Sequence, residues 1–133
     1  MKTYLTVIIC LAVLSLDLLA QNARDEKIYA FYDLSKPPSF PGGEAEMLKY
    51  IYPKLPTSFA IPKESLTGTK VLITFVVDTL GKLSDFQILK DVGGGYGTEV
   101  VRIFKSMPAW IPGEYEGRPV KTRFSFPITV DFH

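Results

Sequence analysis

Val120-Lys121-Thr122-Arg123-Phe124-Ser125-Phe126-Pro127-Ile128-Thr129-Val130-Asp131-Phe132 decides the fold. Its even positions are Val, Thr, Phe, Phe, Ile, Val and Phe, and its odd positions are Lys, Arg, Ser, Pro, Thr and Asp. A period of two belongs to a strand, whose successive side chains point to opposite faces, so one face is buried and the other is wet. Thr69 to Asp78 follows the same rule. Val71, Ile73, Phe75 and Val77 share one face, and Leu72 and Val76 make the other face apolar as well. The turn Asp78-Thr79-Leu80-Gly81-Lys82 then leads into Leu83–Asp91, where Phe86 and Ile88 alternate with Asp85 and Gln87. A β-hairpin is the economical reading.

Around these strands the spacing turns helical. Ala45, Leu48, Tyr52 and Leu55 fall at i, i+3, i+7 and i+10, and Pro53 and Pro56 stop the helix near Tyr52. Val100, Ile103, Phe104 and Met107 predict a second helix, with Thr98 as its N-cap, Glu99 in its first turn and Pro108 closing it. Ile28 to Asp33 is apolar and aromatic enough for a short strand, and Pro37-Pro38 followed by Pro41-Gly42-Gly43 forms a stiff, then tightly turning connection. The predicted fold is α+β and two-layered: a three-stranded antiparallel sheet, with or without a short N-terminal strand, and two helices on one face.

At 133 residues the chain has room for one domain. Lys2, the apolar stretch Leu5 to Leu16 and Leu18-Leu19-Ala20 read as an export signal over residues 1–20, with cleavage expected after Ala20. The alternative is an uncleaved inner-membrane anchor. Asp17 interrupts the run of about 20 apolar residues that a span needs. Residues 21–37 are then a short linker and residues 38–133 the domain. Cys10, the one cysteine, lies in the signal behind Ile9, where a lipoprotein signal would want a small residue. The mature chain would therefore have no disulfide, thiol nucleophile or thiolate metal site.

The net charge of +1 survives loss of the signal, which removes Lys2 and Asp17, so neither nucleic acid nor another polyanion is an expected partner. Gly93-Gly94-Gly95-Tyr96-Gly97 lacks both a glycine at Thr98 and the Gly-Lys-Ser/Thr that phosphate cradles use. His133 is the only histidine. With no nucleophile–base pair or ligand cluster in sight, neither enzymatic activity, nor a metal, nor a cofactor is expected.

The final strand suggests binding instead. Backbone hydrogen-bonding groups alternate along a strand together with side chains, so the odd, wet residues aim their N–H and C=O groups at one common edge. Pro127 has no N–H and belongs to that set, so the edge is expected to be unpaired within the domain. It would leave Lys121, Arg123 and Ser125 free to pair with an extended peptide, with Phe124 and Arg118 alongside. A charged edge kept soluble by its lysine and arginine, and a homodimer formed by two such edges, are the competing readings. Within Met107-Pro108-Ala109-Trp110-Ile111-Pro112-Gly113, Trp110 either plugs the gap between helix and sheet or is partly exposed to the same partner.

Ile28-Tyr29, Pro38-Ser39-Phe40-Pro41-Gly42-Gly43, Val71 to Asp78 with Gly81, Met107 to Gly113, Gly117-Arg118-Pro119-Val120 and Phe126-Pro127-Ile128 together resemble the TonB C-terminal domain, in the form carried by many small Bacteroidetes-type envelope proteins. The resemblance implies the two-layer fold, a periplasmic location, and a final strand that receives a short peptide of a TonB-dependent outer-membrane receptor during transmembrane transport. Ile61-Pro62 stands where the family usually carries Tyr-Pro, with Tyr52-Pro53, further upstream, as the alternative match. A force-transmitting TonB also has a membrane helix with a functional histidine and a long Pro-rich spacer. Here about 18 residues separate Ala20 from Ser39, a reach of roughly 60–65 Å at full extension. A peptide-binding module is therefore the first expectation, and a membrane-anchored accessory of energy transduction the second.

Overall fold

The computed structural model describes residues 2–55 and 70–130. Ile61-Pro62, Thr69 and Asp131 to His133 lie outside them. The elements in chain order are α1 (Lys2–Glu26), β1 (Ile28–Ala30), α2 (Glu44–Ile51), β2 (Lys70–Val77), β3 (Leu83–Lys90), α3 (Tyr96–Lys105), β4 (Gly113–Tyr115) and β5 (Arg118–Thr129), with 3-10 turns at Phe31–Asp33 and Tyr52–Lys54. The fold is α+β, a sheet with helices packed on it, as predicted.

The sheet itself is larger than predicted and mixed. Its strand order is β1-β5-β2-β3, and β4 also pairs with β5. β2 lies at the centre, antiparallel to β5 from Lys70↔Thr129 to Val77↔Thr122 and antiparallel to β3 from Leu72↔Lys90 to Val77↔Leu83. β1 runs parallel to β5, with Ile28 opposite Lys121 and Ala30 opposite Arg123. Residues 28–30 of the expected linker thus belong to the sheet.

β4 and β5 form a second hairpin, with Tyr115 opposite Arg118. Both residues of its two-residue turn, Glu116 and Gly117, have positive φ, which is the turn that matches the twist of a hairpin. The first hairpin is closed by Asp78, whose carboxylate accepts the N–H groups of Leu80 and Lys82. Gly81 in that turn has φ +83, and a Cβ there would lie 1.9 Å from the Trp110 carbonyl oxygen, so only glycine fits.

Val71, Ile73, Phe75 and Val77 are fully buried under α2 and α3, which contribute Met47, Ile51, Val100, Ile103 and Phe104 to the core. Phe75 touches the rings of Phe86, Phe104, Trp110 and Phe124. Burying each such side chain contributes about 1.5–3 kcal/mol before the entropy of ordering it is subtracted. On the opposite face Thr74 and Val76 are buried as well. Over Val76, Arg123 of β5 reaches across to the carboxylate of Asp85 on β3.

α3 begins at Tyr96, two residues before the expected cap at Thr98. The reason lies upstream. Asp91 Oδ1 accepts the N–H groups of Val92, Gly93 and Gly97, and the Gly93 carbonyl accepts that of Tyr96, so residues upstream of the helix take up its first two N–H groups. The glycine run is the entry to the helix, with Gly93, Gly94 and Gly95 all at positive φ around the Asp91 carboxylate.

α1 is a 25-residue helix whose side chains from Thr3 to Leu19 are exposed, Cys10 among them. No helix among the described residues is long and apolar enough to cross a membrane.

Candidate functional site

Pro127 fixes which way the backbone of β5 faces. It stands opposite Leu72 in the antiparallel ladder, and a residue without N–H cannot form a mutually hydrogen-bonded pair. The hydrogen-bonded pairs with β2 must then be those of Thr122, Phe124, Phe126 and Ile128. The odd residues Lys121, Arg123, Ser125, Pro127 and Thr129 aim their backbone groups at the other edge, as the sequence predicts.

That edge is not open along its whole length. β1 occupies it at Lys121–Arg123. The 3-10 turn that follows sets the Phe31 ring edge-on against Phe124 at 5.6 Å, and Tyr29 packs on Tyr115 of β4 at 4.9 Å. Beyond Arg123, no strand among the described residues pairs with this side of β5. The backbone groups on this side without a strand partner among the described residues are the N–H and C=O of Ser125, the C=O of Pro127, and the N–H and C=O of Thr129.

The residues expected to bind a partner separate accordingly. Ser125 lies on the open stretch, half-buried, opposite Thr74. Lys121 and Arg123 do not present a free edge, because β1 is paired there. The Arg123 side chain is also engaged with Asp85. Phe124 turns toward the core and packs on Phe75 and Trp110. Trp110 is 3% exposed and wedged between Phe40, Phe75 and Phe124, so of its two readings the plug is correct and partner contact is not. Arg118 is exposed but sits in the β4–β5 hairpin opposite Tyr115, away from Ser125 along the strand. Thr129, at the far end of the open stretch, completes the set that the residue-type reading missed. Its signal was in the sequence: it is the odd position next after Pro127.

The sheet has a second edge. β3 takes no partner on its far side among the described residues, and it exposes Ile88 and Leu89. Two irregularities break its ladder with β2, one at Asp85, whose φ is +50, and one at Leu89. Bulges of this kind kink a strand and spoil its outer edge as a template. The open part of β5 shows no such break in its register with β2.

No group of three or more His, Cys, Asp or Glu among the described residues is placed to hold a metal ion. No known protein family, curated protein or solved structure matches the chain.

Proposed function

We propose that the chain is an exported, periplasmic protein-binding module similar to the TonB C-terminal domain. It captures an extended segment of an outer-membrane receptor or another envelope protein by adding a strand to β5. The observation that carries this reading is the regular, unbulged edge of β5 from Ser125 to Thr129, whose backbone groups aim away from β2 and meet no strand among the described residues. An incoming strand would satisfy those groups directly, and its alternate side chains would lie over the sheet face lined by Ser125 and Thr129. No metal, cofactor or catalytic group is needed for that activity. Integration of residues 28–30 into the sheet shortens the stretch between α1 and the folded unit, which favours local capture over force transmission across a wide compartment.

Ser125→Pro tests the reading. Proline removes an N–H that makes no bond to β2 and copies the arrangement already tolerated at Pro127. A photo-crosslinker at Thr129 in cells is expected to join the chain to an envelope protein, and Ser125→Pro to remove that product while the far-ultraviolet spectrum and thermal midpoint stay near those of the parent. An undiminished crosslink in the folded variant would overturn the proposal. Arg123→Pro is a poorer probe, since its N–H faces β1 and its side chain holds Asp85.

A further inference from the structure

We infer that β1 and its 3-10 turn are an intrachain placeholder on the binding edge, which a partner strand must displace before it can pair along the full length of β5. The inference rests on the reading that this edge captures a strand.

Three observations lead to it. The first is position: β1 takes up Lys121 and Arg123, the odd residues next in line to Ser125, and Phe31 and Tyr32 turn off the sheet at the point where a longer strand would continue. The second is attachment. No residue of β1 or of the turn is buried, with Ile28 46% and Tyr32 77% exposed, and the rings that the segment lies against are those of Tyr115 and the half-buried Phe124, at the margin of the core. The third is a hinge. Immediately downstream the chain is pinned to β4, where Lys36 and Glu114 exchange backbone hydrogen bonds, the Ser35 hydroxyl donates to the Glu114 carbonyl, and Ser39 and Ile111 pair further on. Residues 28–33 can therefore leave while everything from Ser35 onward stays.

Exchange favours a longer strand because β1 reaches the backbone groups of only two odd residues, Lys121 and Arg123. A segment running from Lys121 to Thr129 reaches those of five, with Pro127 offering its C=O alone. The occupant that fits has an extended backbone and large apolar or aromatic side chains at alternate positions, replacing Tyr29 against Tyr115 and Phe31 against Phe124. Occupancy by β1 lowers the apparent affinity for such a segment by the fraction of time that the edge is free.

Amide hydrogen exchange on the unmodified full chain tests the displacement. The amides of Tyr29, Lys121 and Arg123, which serve the β1–β5 ladder, are expected to exchange at least roughly 100-fold faster than those of Thr122, Phe124 and Phe126, which serve the β5–β2 ladder. Equal protection of the two sets would overturn the placeholder. A synthetic peptide of residues 27–33 then probes the vacated edge in trans, in the full chain and in Tyr29→Ala/Phe31→Ala. It should shift the Lys121 and Arg123 resonances of the variant at concentrations about tenfold below those needed for the parent. The same response from both chains would also overturn it. Both measurements are made on the isolated protein, so a failure of envelope-partner capture at Ser125 would count against the binding proposal and leave these outcomes intact.

Discussion

Asp91 carries more of the local structure than its place at a strand end suggests. One carboxylate oxygen serves three backbone N–H groups, so Asp91→Ala leaves three partly buried donors without their acceptor. The expected cost is about 1–3 kcal/mol, read as a lower urea midpoint with an unchanged slope, and Asp91→Asn, which keeps an acceptor oxygen, should recover part of it. Tyr96 supplies a pH effect. Burial, with a smaller contribution from Tyr52, raises its phenol above the ordinary value of 10.0. The folded state then holds the proton more tightly than the unfolded state does. The stability tied to the neutral phenol is complete below the unfolded value and is lost as pH rises through the folded one. Between about pH 9 and about pH 11 the urea midpoint of the parent should therefore fall further than that of Tyr96→Phe.

At the level of elements, legibility followed length and periodicity. β2, β3 and β5 could be read because eight to twelve residues repeat with a period of two, and α3 because four apolar residues recur at helical spacing. β4 could not, since Gly113-Glu114-Tyr115 is too short to show a pattern and becomes a strand only through its turn. The strand expected over Ile28 to Asp33 forms only at Ile28–Ala30, the rest being a 3-10 turn, and its parallel alignment on β5 is not legible because three residues carry no register information of their own. The same limit applied to the site. Pro127 revealed which way the edge faces, while the occupant of Lys121 and Arg123 comes from a segment some 90 residues away. Trp110 was ambiguous for a related reason: an indole beside two prolines suits a plug or a contact surface, and only the rings of Phe40, Phe75 and Phe124 settle which. The β4–β5 turn offers an element-scale test. Glu116 holds a positive φ that asparagine adopts more readily, so Glu116→Asn should raise stability by about 0.5–1 kcal/mol in a urea titration.

For the whole molecule, the two faces of the sheet divide the work. The face toward α2 and α3 holds an aromatic core centred on Phe75, and on the other Arg123 reaches over Val76 to Asp85. A partly exposed ion pair of this kind adds about 1 kcal/mol or less, so its greater effect is to shield Val76 beneath it. Among the described residues the layer arrangement also leaves two sheet edges of different character, one regular beyond Arg123 and one bulged at Asp85 and Leu89. A sheet with two good edges has a valence of two, and divalent units polymerise, each copy templating the next. Spoiling the β3 edge reduces the valence to one. The β3 side then offers no regular ladder from which a fibre could be extended.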